Sequence, residues 1–201
     1  MATAPDRVTV VTATAFETRA ARAQIGDRAR VVQAGIALRS AGRDFGSTVI
    51  SCGLAGGLRD DLPTGTVLVP RNVRRPDGDR LACDPDLVEK LLRAARGLGF
   101  QAVDASLVTS ARIVRGTERA RWASEGYAGA DMETGALYAA RVACVRVILD
   151  TPAHELSGAW EHPARVFFRP DAWLDIPFLA REAPRCAALA ARVIAEALPF
   201  S

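Results

Sequence analysis

Two carboxylates in this sequence sit where acid–base chemistry can be built, Glu133 and Asp150. Glu133 ends the stretch Ala130-Asp131-Met132-Glu133, and Asp150 ends the apolar run Val145-Arg146-Val147-Ile148-Leu149-Asp150. The first pattern predicts a strand over Ala128–Met132 followed by a helix over Glu133–Ala143. The second predicts a strand over Val145–Leu149. Carboxylates that bracket a helix and a strand gather at one end of an α/β sheet, where such folds place ligands. Glu17 is a third candidate. It opens a helix just past the first strand, Val8–Val11, so it is either a favourable helix-dipole partner or a ligand-facing group. Gly53, Gly56 and Gly57 follow another buried strand, Thr48–Ser51. Glycines there permit close backbone approach and point N–H groups at an anion. Their spacing matches neither a P-loop nor a dinucleotide fingerprint, so a plain turn and a ligand cradle both stand.

The elements that must position these groups read in order. After the helix from Glu17 to about Ile25, Val31-Val32 begins a second strand and Gly35-Ile36 a loop. Ser40–Gly46 reads as a short helix or turn. Thr66–Pro70 is a strand, and Arg71–Arg80 a polar, flexible loop. Asp84-Pro85 starts a helix with Asp as N-cap and Pro at the first position. Its apolar face is Leu87, Val88, Leu91, Leu92 and Ala95. Ala102-Val103 and Ser106–Thr109 are strand, Ser110–Arg115 is a loop carrying Ile113 and Val114, and Glu118–Ser124 is a short helix. Thr151–Pro170 is irregular and long enough to suggest a lid or a mobile loop. Asp171–Leu198 is helical, interrupted at Pro177 and Pro184. Alternating strands and helices predict one α/β domain over residues 1–201. It is a three-layer αβα sandwich with a central mixed, mostly parallel sheet.

Composition narrows the function classes. The chain has 201 residues, 49% hydrophobic and 24% charged, which suits a soluble globular domain. No apolar run approaches the roughly 20 residues needed to span a bilayer. No secretory leader pattern is evident, so a cytoplasmic protein without stable membrane insertion is expected. The net charge of +3 comes almost wholly from arginines interleaved with acids, with no basic stripe, which argues against nucleic acid as the partner. Cys52, Cys83, Cys144 and Cys186 are widely spaced, and His154 and His162 are the only histidines. Paired zinc-ligand spacing is absent, and reduced, buried thiols are expected.

Three ordered segments resemble the purine nucleoside phosphorylase and methylthioadenosine nucleosidase superfamily. They are Gly53-Leu54-Ala55-Gly56-Gly57-Leu58 with the following Pro63–Val69, then Asp131-Met132-Glu133 with a small-residue helix, then Asp150 at a strand end. The likeness runs from about Val8 to Asp150. Within the superfamily, Ala15–Arg19 and Ser51–Leu58 are most similar to the hopanoid-associated phosphorylases, which are thought to act on adenosylhopane.

The resemblance implies cleavage of the N-glycosidic bond of a purine nucleoside, with a lipid-linked nucleoside among the expected substrates. Asp150 becomes the acid for the leaving base, Glu133 the acceptor for the ribose hydroxyls and Met132 the packing against the sugar. Ile113 and Val114 hold the base. Met132, Ile113 and Val114 are also plausible core residues. Similarity to the hopanoid-associated group implies phosphorolysis, with inorganic phosphate as co-substrate and no cofactor or metal. The phosphate would lie against Gly35, Gly53, Leu54, Ala55 and Gly56. Glu17, however, aligns with the glutamate that activates water in the nucleosidases, which implies hydrolysis instead. Leu54 and Leu149 stand where relatives carry hydroxyls, so a catalytically silent nucleoside-binding protein is a further reading. Relatives associate, so a homo-oligomer is expected.

Overall fold

A computed structural model describes residues 7–38, 45–161 and 170–199. Strands β1 (Thr9–Thr12), β2 (Arg30–Gln33) and β3 (Thr48–Gly57) are joined through helix α1 (Ala15–Ile25) and a 3-10 turn at Ile36–Leu38. Strand β4 (Val67–Leu68), the pair β5 (Asn72–Arg74) and β6 (Arg80–Ala82), and helix α2 (Pro85–Gly97) follow. Then come β7 (Ala102–Val103), β8 (Ser106–Thr109), helix α3 (Gly116–Ser124), β9 (Tyr127–Asp131) and β10 (Arg141–Ile148). Short helix α4 (Pro170–Trp173) and long helix α5 (Ile176–Ala197) close the described chain.

The ten strands form one mixed, mostly parallel sheet, and β3 is its organising member. Its first half lies between β1 and β10, both parallel to it. Its last two residues, Gly56 and Gly57, leave β1 behind and pair antiparallel with β9. This handover is what brings the ends of β3, β9 and β10 to one place.

Alternation along the strands separates two apolar faces. Val10 and Ile50 face one core with α1, α2 and α5, whereas Val11 and Val49 face a second cluster with Phe45, Leu137 and Val142. A third cluster sets Val108 and Ala130 against Trp122 and Ala123 of α3. Helices therefore cover one face broadly, and α3 with the connecting turns covers the other. The capped helices form as their sequences dictate. Thr14 and Glu17 make a reciprocal capping box at α1. Asp84 accepts the Leu87 N–H at the start of α2 and takes a hydrogen bond from Arg141 Nε at 2.7 Å.

Four expectations are corrected. No helix spans Glu133–Ala143: Thr134–Ala136 is a single 3-10 turn, and β10 already begins at Arg141. Groups a continued helix would need are taken elsewhere, since Arg75 donates to the Gly135 and Leu137 carbonyls and the Arg141 N–H donates to the Ser47 carbonyl at 2.9 Å. The segment Arg71–Arg80 is not a loose loop but contains β5 and the start of a hairpin. Its Arg75 donates to the carbonyls of Gly135 and Leu137 and lies over the Tyr138 ring, bracing the turn that stands where a helix was expected. The residues Gly53–Gly57 continue β3 rather than forming a turn. Pro177 sits in the first turn of α5, and Pro184 does not break it. Pro184 and Ala180 are both exposed, so the carbonyl that loses its donor faces solvent. The expected turn at 40–46 and lid at 151–170 lie partly outside the described residues.

Asp84 fastens α2 to β10, so its loss is measurable. Asp84→Ala is expected to lower stability by roughly 1–2 kcal/mol in urea unfolding, from the lost cap and the half-exposed ion pair. An unchanged midpoint contradicts this assignment.

Candidate active site

The handover at β3 opens a cavity of about 200 Å³. Glu17, Leu54, Ala55, Gly56, Ile113, Val114, Met132, Glu133 and Asp150 all line it. Nine of the eleven residues singled out from the sequence are thus together. Gly35 and Gly53 are not on the wall. Gly35, with φ of 76°, starts the tight turn at Ile36–Leu38. That turn sends the Ala37 N–H to Glu133 Oε1 at 3.2 Å. Gly53 serves from behind: a Cβ there would fall 2.5 Å from Glu17 Oε1 and would also collide with the Arg146 guanidinium.

Arg146 is the centre that the sequence reading passed over. It is 1% exposed, in the buried body of β10, whose other arginine, Arg141, stands at the strand's start. Its guanidinium donates to Asp131 (Nε, 2.9 Å), Ser51 Oγ (2.8 Å) and Thr134 Oγ1 (3.0 Å), and lies 3.5 Å from Glu133 Oε2. Asp131 accepts further bonds from Thr109 Oγ1 at 2.6 Å and from both the amide and hydroxyl of Thr134. The signal for this network was present: a lone arginine inside a buried strand must find charged partners.

Glu17 caps its helix and also lines the cavity. Oε2 caps its own helix, accepting from Thr14 N (2.8 Å) and Oγ1 (2.7 Å). Oε1 crosses to accept the Leu54 N–H at 3.2 Å. The amide at the head of the proposed anion cradle is therefore already donated to a carboxylate. Further along β3, the Gly57 N–H donates to the Asp150 carbonyl at 2.8 Å.

Burial pushes Glu133 up to about 7, Arg146 opposes this, and the neighbouring carboxylates of Asp131 and Glu17 add to it. Asp150 is also raised by burial, against the pull of Arg119, whose guanidinium bonds Asp150 Oδ2. The other cation on the wall, Arg112, pairs with Glu118 at 3.0 Å. The four thiols are free and buried, and burial raises each of them, which leaves them poor nucleophiles. His154 packs on the Phe178 ring, off the cavity wall, and His162 lies outside the described residues. Among the described residues, no group of His, Cys, Asp and Glu could hold a metal ion, and no helix is long and apolar enough to cross a membrane.

Residues 21–195 match the family model described as the phosphorylase superfamily. The chain belongs to the phosphorylase superfamily. Its fold is similar to that of several solved structures. The 5'-methylthioadenosine/S-adenosylhomocysteine nucleosidase of Neisseria meningitidis, bound to methylthio-immucillin-A, matches with TM-score 0.72 and 21% identity, over 95% of this chain and 97% of that one. The nucleosidase of Colwellia psychrerythraea 34H in complex with adenine matches with TM-score 0.72 and 16% identity, over 96% and 95%. Futalosine hydrolase of Helicobacter pylori matches with TM-score 0.70 and 12% identity, over 95% and 96%. No curated protein matches the chain by sequence.

The raised Glu133 has a stability consequence with a definite sign. The unfolded chain releases this proton near 4.5 and the folded chain near 7. The folded state therefore binds more protons in between, and stability is lost as pH rises through that window. Glu133→Gln is expected to raise the Tm at pH 8 by at least about 3 °C, and to have little effect at pH 4. An equal effect at both pH values contradicts the assignment.

Proposed function

We propose that the protein cleaves the N-glycosidic bond of a purine nucleoside by hydrolysis. One observation carries the choice of water over phosphate: the Leu54 N–H, which an anion would need, already binds the Glu17 carboxylate. The charge balance supports it. Glu17, Asp131 and Glu133 gather around the single Arg146, and the described cations lining the cavity, Arg112 and Arg119, are each paired with a carboxylate. A phosphate dianion would enter a site already rich in negative charge, whereas an oxocarbenium-like sugar is stabilised there.

In this reading protonated Asp150 gives its proton to purine N7 as the C1'–N9 bond breaks and its electron pair leaves with the base. Burial favours the protonated acid. Glu17 accepts a proton from water as the water oxygen attacks C1'. Glu133, once ionised, accepts from the ribose hydroxyls, displacing or sharing the Ala37 N–H. Met132 packs against the sugar, and Ile113 and Val114 flank the base. Water and nucleoside thus yield free purine and free sugar, and solvent then returns a proton to Asp150 and takes one from Glu17.

The sequence also supports a narrower substrate. Phe16, Ile36, Leu54, Leu149 and Leu156 line the cavity beside the carboxylates. Such a wall favours a nucleoside with an apolar substituent, the class to which the likeness to the hopanoid-associated phosphorylases points.

Base release from adenosine, methylthioadenosine and an aliphatic adenosine analogue in phosphate-free buffer tests the proposal. Release is expected, with kcat/KM lowered about 100-fold or more in Asp150→Asn and in Glu17→Gln. Tight nucleoside binding with no base released by the unmodified protein overturns it and leaves a silent binding protein.

A further inference from the structure

Arg119, in α3, is 2% exposed and is one of the largest fully buried side chains in the protein. It lines the same cavity as Asp150. Nη1 donates to the Gly57 carbonyl at 2.7 Å, and Nη2 donates to the Val114 carbonyl at 3.3 Å and to Asp150 Oδ2. Nε lies 3.2 Å from Glu155 Oε1, close enough for charge–charge attraction but not aligned for a hydrogen bond. Glu155 Oε1 in turn accepts the Gly116 N–H at 2.9 Å, at the start of α3. One guanidinium therefore ties the end of β3, the Val114 wall, Asp150 and the segment after β10.

We propose that Arg119 is a positioning residue for base departure: it fixes Asp150 by one carboxylate oxygen and Val114 by its carbonyl, and with Glu155 sets the charge that Asp150 feels. The proposal rests on the nucleoside-cleavage reading, in which Asp150 meets the leaving base.

Arg119's bonds are committed to protein groups, so it is an anchor rather than a base-recognition group. A rigid planar fork suits this, because it can hold two acceptors in fixed relation. Oδ2 of Asp150 is taken by the arginine. Oδ1 lies toward Gly56, where a Cβ would approach it to 3.2 Å, so the absent side chain keeps that side open to the cavity.

Burial alone would hold Asp150 protonated to high pH and make it a weak donor, and Arg119 pulls the other way, helped by the Leu156 amide. Glu155 weakens Arg119's pull. The other ionisable groups on the cavity wall are Glu17 from α1, Asp131 and Glu133 at the end of β9, and Arg112 before α3. Strand β3 presents only backbone and glycine to Asp150 at Gly56. Removing Arg119 and removing Glu155's charge should therefore move Asp150 in opposite directions, which a merely structural role for Arg119 would not do.

The test is the titration of the Asp150 carboxyl by carbon-13 NMR, assigned with Asp150→Asn, beside the pH profile of kcat/KM for base release. Arg119→Met is expected to raise the Asp150 midpoint by about one pH unit or more, and Glu155→Gln to lower it. Arg119→Lys is expected to return most of the first shift. The high-pH limb of kcat/KM should follow the midpoint in each variant, with kcat falling more than KM rises in Arg119→Met. If Arg119→Met does not fold, Arg119→Lys, with a small rise above the unmodified protein, and Glu155→Gln, with a fall below it, still carry opposite expected signs. Midpoints that do not move, or that move together, overturn the proposal. Midpoints that move as stated in a protein releasing no base overturn the nucleoside-cleavage reading, and with it the catalytic meaning of the arginine, while the Arg119–Asp150 coupling stands.

Discussion

The site depends on one buried guanidinium. Removing an arginine from water costs several kcal/mol unless charge and hydrogen bonds replace the lost hydration. Arg146 obtains them from Asp131, Ser51 and Thr134, and lies within reach of Glu133. That requirement propagates outward. Asp131 must end β9 where β10 passes, so β9 must pair with the far end of β3. Position 53 must be glycine, because Arg146 and Glu17 occupy the space a side chain would need. The residues after Glu133 must turn back at once to donate to Asp131, so they form a tight turn. Three carboxylates gather around one cation, and burial, with the charges of Asp131 and Glu17 adding to it against Arg146, pushes Glu133 up.

Local rules made much of the fold legible. The α1 capping box, the Asp84-Pro85 start of α2 and the β-branched runs at Thr9–Thr12, Thr48–Ser51 and Ser106–Thr109 announce themselves within a few residues. The misread elements are those decided by distant partners. Small, apolar residues after Glu133 have good helix composition, but Asp131, Thr109 and Arg75 take the turn's polar groups, and pairing with β3 claims the chain from Arg141. Arg71–Arg80 looks like loop from its Arg, Pro, Gly and Asp content. It gains its strand from β8 and its order from the Gly135–Tyr138 turn. Gly53–Gly57 is glycine-rich for clearance beside β10 and Glu17, not for turning, and composition does not distinguish those reasons.

The candidate site was more legible than the fold around it, because carboxylates at strand ends mark themselves. Glu17, Glu133 and Asp150 converge on one cavity with Met132, Ile113 and Val114. The two arginines that manage those carboxylates, Arg146 and Arg119, were hidden by abundance in an arginine-rich sequence. Only burial separates them from the surface population. The loss of hydroxyls at Leu54 and Leu149 is also reinterpreted. The backbone of each is engaged, Leu54 N–H with Glu17 and the Leu149 carbonyl with Thr64 Oγ1 at 2.7 Å, while their side chains make the wall apolar.

The central claim is that Glu17 holds the nucleophile's place, so that water rather than phosphate attacks the sugar. Its most direct test is phosphorus NMR of a complete turnover in saturating phosphate, with purine release followed in parallel. The account predicts one free sugar per purine and no sugar 1-phosphate signal. A sugar 1-phosphate appearing in step with the purine would contradict it.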